Sequence, residues 1–461
     1  MIVLHHFMAT SVAALSGFCV ISMLRWPGLG SRSLGEQAGL SYLVGIILIA
    51  GEMAMLDSLG VPVNYRLLLL LQLVPVSLPV LRFALSRGRW RPGFHRVPGW
   101  PLVKRWWAWF LVVLIASKLL YVFVMNLTEW LRVSDAIMVC LGLAKHVFYE
   151  QTSAGYRLLP GYPRTPGLIL AWFALAQKGW TEAGVNLAHF NYYAVFLLLF
   201  HANLRRCVGR AEALIGAYVL SAFPLILNHA ILVGYVDLPM AIFLTFVGVY
   251  ATRYARDGAP DDLVLAFFFT LCLPALKLEG KIPYFPFAIY VLLAAIGYRR
   301  GLLSPRAVWI ATAGLAALAV GLVWIIEARY GYKGPPWLSA YWGNLVPGNR
   351  LAVIGAPLLA HFGHLYNNWM VLGSLTAVLF PLLTVRRARR EALIPGLFGT
   401  LLLASFVYLY CVGGGYLWLA NGTAVNRSFL QILPTLLFGV AVMGRSDLWQ
   451  ARPSPCPAAS R

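Results

Sequence analysis

The stretch GYVDLPMAIFLTFVGVYATRYARDGAPDDLVLAFFFTLCLPALKLEGK, residues 234–281, decides the fold. It holds two apolar runs, 237–252 and 263–276, joined by the polar segment RYARDGAPDD (253–262). The apolar residues are continuous rather than alternating, which is the pattern of membrane-crossing helices and not of barrel strands. Charge is confined to the ends of the runs. Asp237 opens the first, and Lys277, Glu279 and Lys281 interrupt the passage from the second to a third at 282–298.

The same pattern extends outward over all 461 residues, which are 60% hydrophobic and 11% charged, with mean hydropathy +0.74. Soluble domains carry about twice that share of charge. The expected fold is an all-α polytopic membrane protein. Thirteen spans are read at roughly 4–23, 39–57, 63–85, 106–126, 186–203, 211–227, 237–252, 263–276, 282–298, 307–326, 358–384, 392–412 and 428–444. The first run has neither a basic leader nor a small-residue cleavage site, so it reads as a retained helix. The six cysteines are scattered without CxxC spacing and read as small buried hydrophobes.

A net charge of +21 has two readings, nucleic acid or basic loops that fix orientation. The chain has no basic soluble segment to grip a nucleic acid, so the second holds. The most basic linker is SRGRWRPGFHRVPGWPLVKR (86–105). Placing it in the cytoplasm and alternating the remaining loops puts 24 of the 37 Lys and Arg on that side. The N-terminus is then outside and the C-terminus inside. The segment 167–177 is too short to cross, so 127–185 reads as one long outer loop with amphipathic interfacial helices. A second outer loop spans 327–357. Trp337, Tyr341 and Trp342 there read as sugar-stacking groups or as an interfacial aromatic belt.

This topology gathers the charged motifs on the outer face. Asp135 reads as a general base, a metal ligand or a helix-start acid. Asp237 has the same alternatives, with Pro239 in the first turn. Lys277, Glu279 and Lys281 form either a phosphate contact or a locally paired turn. Arg427 reads as a bidentate phosphate ligand or a snorkelling arginine. His146, Glu150, Arg157, Arg164, His229 and Tyr235 share this face as secondary candidates. No Walker A, GxSxG or dinucleotide fingerprint occurs.

The ordered set SDAIMVCLGLAKHVFYE, YPRTPGLILAW, FPLILNHAILVGYVDLPMAIF, LPALKLEGKIPYFPF and TAVNRSFLQILP resembles bacterial members of the GT-C superfamily of integral-membrane glycosyltransferases. More distantly it is similar to protein mannosyltransferases and lipid A aminoarabinose transferases. The likeness covers roughly 105–445, the catalytic core. Residues 1–104 add three helices and a basic linker, and 446–461 form a tail. The family pattern has Asn where this chain has Leu278, and often a paired acid where it has Asp135-Ala136.

The resemblance implies a polyprenyl-phosphate sugar donor and a glycan, glycolipid or protein acceptor at the periplasmic face of a bacterial plasma membrane. It implies Asp135 as base, Lys277 and Arg427 on the donor phosphate, and Asp237 and Glu279 orienting the sugar or a divalent cation (Mg or Mn). The metal role would fall to Asp135 and Asp237. The alternatives are a ligase or polymerase using lipid-diphosphate donors, and a lipid-linked-sugar transporter or flippase.

Overall fold

A computed structural model describes residues 1–23, 32–85, 105–128, 137–157, 162–177, 179–277, 279–312, 314, 376, 379–380, 383, 393–407 and 425–444. Every regular element among them is helical. In chain order these are α1 (Ile2–Met23), α2 (Leu34–Ser58), α3 (Tyr65–Leu85), α4 (Trp106–Thr128), α5 (Gly142–Glu150), α6 (Thr165–Leu175) and α7 (Glu182–Cys207). They are followed by α8 (Arg210–Ala222), α9 (Pro224–Ile231), α10 (Asp237–Asp257), α11 (Pro260–Leu276), α12 (Phe285–Arg299), α13 (Leu393–Val407) and α14 (Val425–Gly444). Short π-helical turns at Ile137–Leu141 and Gly280–Tyr284 lead into α5 and α12.

Among the described residues six helices are long and apolar enough to cross a membrane, or seven if the bent pair α8–α9 is one span. The chain is therefore membrane-embedded and all-α. The expected count of thirteen is not reached. Helix α11 has 17 residues, and α12 and α13 are shorter still. The expected spans at 307–326 and 358–384 fall largely outside the described residues. The span expected at 211–227 is broken at Phe223–Pro224 and bends by 60°. Proline at the first position of α9 has no N–H to continue α8.

Helix α10 is the centre. Its apolar window is wholly buried, and it packs on α7, α11, α12, α13 and α14. Such a helix, apolar all round and covered all round, is what a core span requires. It ends at Gly258, whose φ of +72° makes a left-handed cap before Pro260 opens α11. At the periphery, α4 presents Trp106, Trp109, Phe110, Val113, Leu120 and Val124 outward, a face suited to lipid.

Helices α1 and α2 are built into this core. They cross so closely that a Cβ at Gly17 would lie 1.9 Å from the Ser41 carbonyl oxygen, and one at Gly45 1.7 Å from that of Ala13. Small residues permit this backbone approach between helices in lipid. Trp172 Nε1 of α6 donates to Ala9 O at 3.3 Å, and His6 Nδ1 lies 3.1 Å from Gly184 O. Helix α6 corrects an expectation. The segment 167–177 is not interfacial; Pro166–Ala174 are all buried, against α2, α5 and α7. An eleven-residue helix without a polar face is satisfied by burial in protein, not by lying on headgroups. Helix α5 does have the expected two-sided character, with Leu143, Ala144 and Val147 buried and Lys145, Tyr149 and Glu150 exposed.

Candidate functional site

Asp237 opens α10, but its carboxylate does not cap the helix. It receives three side chains from distant parts of the chain. Lys277 Nζ donates to Oδ1 at 2.7 Å, Gln431 Nε2 to the same oxygen at 2.6 Å, and Arg427 Nε to Oδ2 at 2.9 Å. Asp237 is fully buried, Lys277 is nearly so, and the side chain of Arg427 is 23% exposed. Lys277 also pairs with Glu279 Oε1 at 2.8 Å, whose side chain is 28% exposed. Two cations and two anions thus form one neutral cluster at one end of the bundle. Burial alone would lower the Lys277 pKa. The carboxylates of Asp237 and Glu279 outweigh it and hold the ammonium above its ordinary value.

The turn before Asp237 is itself held. The guanidinium carbon of Arg427 lies 4.2 Å from the centre of the Tyr235 ring, in cation–π contact. His229 also packs against Tyr235, at 5.4 Å between ring centres. His189 Nε2 is 3.1 Å from Tyr235 O and 3.3 Å from Gly234 N, so α7 grips the turn. Among the described residues, the Nδ1 atoms of His189 and His229 and Oε1 of Gln431 are buried without a hydrogen-bond partner.

Asp135 lies outside the described residues, as do Trp337, Tyr341 and Trp342. The chain resumes at Ile137, and Cys140 is within electrostatic reach of Asp237, Lys277 and Arg427. Burial, then the Asp237 charge, pushes the Cys140 thiol up to about 12. Cys140 also lines a water-sized cavity with His189, Tyr192, Gly234, Tyr235 and Leu276. The turn Ile137–Leu141 therefore lies beside the cluster.

The five candidates Asp237, Lys277, Arg427, Tyr235 and His229 meet here, with Glu279 alongside. Others do not join them. Arg164 Nη1 donates to Ser153 Oγ at 2.8 Å and lies 3.4 Å from Asp57 Oδ2. Asp57, at the end of α2, also accepts from Thr152 Oγ1 at 2.6 Å, from Ser153 N at 2.7 Å and from Ser153 Oγ. This second cluster ties α2 to Thr152, Ser153 and Arg164. His146 Nε2 stays local, 2.9 Å from Ala154 O. Glu150, Arg157 and Lys281 are exposed. Among the described residues no group of three or more His, Cys, Asp or Glu is placed to hold a metal. Both oxygens of Asp237 are occupied by cationic and amide donors, an environment unsuited to a further cation.

A third cluster, at the other end of α10, has no counterpart in the sequence reading. Glu36 accepts from Arg32 at 2.5 Å and from Arg253 at 2.6 Å, and lies 3.4 Å from Arg206. Asp262 pairs with Arg32 at 2.8 Å and Arg253 at 3.0 Å. Arg253 Nη1 also donates to Asn203 Oδ1 at 2.6 Å, and Tyr250 lies under both Arg32 and Arg253. Five ionic side chains, from α2 and the segment before it, α7, α10 and the first turn of α11, thus close one end of the core. Comparison of the chain with family models, with curated proteins and with solved structures finds no match in any of the three.

Proposed function

We propose that this is a membrane glycosyltransferase of GT-C type, moving a monosaccharide from a polyprenyl-phosphate donor to a glycan, glycolipid or protein acceptor. One observation carries the reading. Lys277 and Arg427, 150 residues apart, converge on Asp237 at the end of the most buried helix. A lipid-linked phosphate would arrive at that depth, with its chain in the bilayer and its sugar at the interface. The proposed setting is a bacterial plasma membrane with this end facing outward, on a chain with up to thirteen spans.

In the proposed reaction the Asp135 carboxylate takes the proton of an acceptor hydroxyl. The hydroxyl oxygen forms a bond to the anomeric carbon, and the bond from that carbon to the phosphate oxygen breaks. The electron pair leaves with the phosphate, so a diester monoanion becomes a monoester dianion. A cation held beside the leaving oxygen stabilises that added charge. Arg427, partly exposed, is the group to touch the phosphate, and Lys277 acts from behind it through the Asp237 carboxylate. Glu279 faces the sugar hydroxyls. A divalent cation, if used, belongs on the Asp135 side of the site.

The decisive experiment measures polyprenyl phosphate released by purified protein from a panel of polyprenyl-phosphate monosaccharides, with membrane extract as acceptor source. Release that requires both extract and Asp135 is expected. Turnover retained in Asp135→Asn removes the assignment of the base, and no release with any donor removes the transferase. The 60° break between α8 and α9, which leaves His229 of α9 beside the cluster, favours a second reading, a lipid-linked-sugar transporter. In that case the donor crosses proteoliposomes unhydrolysed.

A further inference from the structure

A cavity of about 560 Å³ opens at the end of α10 opposite Asp237. Its lining includes Arg256, Tyr298, Arg299, Ser304, Leu303 and Ile394. From Asp237 to Arg256 a helix rises about 28 Å, close to the roughly 30 Å of a bilayer core. The cavity thus lies at the headgroup level opposite the candidate site.

Its two cations differ. Arg256 is neutralised by Asp257, with Nε to Oδ1 at 2.6 Å and Nη2 to Oδ2 at 2.5 Å, and its Nη1 donates to Arg206 O at 3.2 Å. Arg299 Nη1 donates to Arg256 O at 3.2 Å, and among the described residues Arg299 has no carboxylate partner and no other hydrogen bond. That bond lays the guanidinium over Gly258, where a Cβ would sit 2.5 Å from Nε. The left-handed glycine therefore serves two ends, closing α10 and leaving room for Arg299. The other walls combine hydroxyls (Tyr298, Ser304) with aliphatic surface (Leu303, Ile394), and no acid is among the described lining residues.

We infer that this cavity binds a phosphate-bearing anion, with Arg299 as its charged ligand and the aliphatic wall taking the start of an acyl chain. A planar guanidinium fixed at one nitrogen still presents a donor edge that matches phosphate oxygens. The same chemistry is supplied by an anionic phospholipid headgroup or by free phosphate. The inference does not depend on the proposed reaction.

The test is native mass spectrometry of the full chain in detergent with phosphatidylglycerol, phosphatidylcholine or inorganic phosphate. Arg299→Gln and, as an exposed neighbour on the same turn, Arg300→Gln are measured beside the natural chain, each first shown to elute as a single folded species. Preferential retention of phosphatidylglycerol is expected, reduced about tenfold by Arg299→Gln as a charge-assisted contact is lost, and unchanged by Arg300→Gln. Displacement of the lipid by millimolar inorganic phosphate identifies the phosphate group itself as the ligand; persistence identifies the lipid. Equal retention of the two lipids overturns the inference. So does an equal loss in both variants, which would mark a general surface charge effect.

Discussion

Replacing Asp237 with Asn keeps the shape of the side chain and removes the one charge on which Lys277, Arg427 and Gln431 converge. Removing one partner of a buried ion pair costs about 3–5 kcal/mol, because the other is left uncompensated. Here Lys277 keeps Glu279, and Arg427 is 23% exposed and keeps Tyr235. The expected loss is therefore at the low end, about 3 kcal/mol. Unfolding entropy of about 2 cal/mol/K per residue gives about 1 kcal/mol/K for a chain of this length, and so a fall in Tm of about 3 °C. Helices that persist in detergent lower that entropy and enlarge the shift. The assay is thermal unfolding in detergent of Asp237→Asn, Lys277→Met and the double variant. Contacting charges should couple by at least about 1 kcal/mol, so that the double variant is less damaged than the sum of the two. If Asp237→Asn melts within about 1 °C of the natural protein, or the two effects simply add, the buried hub as described does not exist.

Arg427→Lys retains the charge but loses both the Nε contact and the stacking on Tyr235. It should lower polyprenyl phosphate release about tenfold or more, while Lys281→Gln, on an exposed residue, leaves it within about twofold. Lys277 titrates above its ordinary value, so the stability it contributes is complete below its unfolded pKa and is lost only as pH rises through the folded one. The Tm difference between Lys277→Met and the natural chain should accordingly be constant from about pH 7 to about pH 10; a decline within that window contradicts the pairing. Asp57→Asn should loosen Thr152 and Ser153, read as faster amide exchange at Ser153 with little change in α10. Gly17→Val places a side chain against the Ser41 carbonyl and should lower the yield of folded protein sharply, whereas Gly51→Val, where nothing lies within 4 Å, should not.

The sequence made the membrane class and the meeting of Asp237, Lys277 and Arg427 legible, because charge at the ends of apolar runs is costly and sidedness follows from the basic loops. It did not reveal what those residues do to each other. Asp237 and Lys277 each read as a functional group or as local helix-start and turn chemistry, whereas the structure spends the carboxylate on three distant donors. Gln431 was within reach of sequence reasoning, since it lies four residues after Arg427 on the same helical face. His189 was not, because it enters from within an apolar helix and its hydrogen bonds go to backbone. The Glu36–Asp262 cluster was hidden for another reason. Its members lie up to 230 positions apart, and each taken alone is an ordinary loop or helix-end charge.

These hidden contacts bear on what the first helices are for. Helix α2 meets the core at both ends. Near its start Glu36 is buried among Arg32, Arg206 and Arg253, and at its end Asp57 gathers Thr152, Ser153 and Arg164. The 21 residue steps from Glu36 to Asp57 rise about 32 Å, enough to connect the two headgroup levels. At the first end, loss of Glu36 would strand three arginines, two of them almost fully buried, with Asp262 as the remaining acid. At the second, Asp57 holds Thr152 and Ser153, in the segment that continues from Cys140, which is within electrostatic reach of Asp237. A helix that only added thickness to the bundle would need neither cluster. The arrangement instead makes α2 a strut, holding the charged floor of the core at one membrane surface and the segment beside the candidate site at the other. The N-terminal helices are on this account part of the machinery that positions the site, although the resemblance begins only after them.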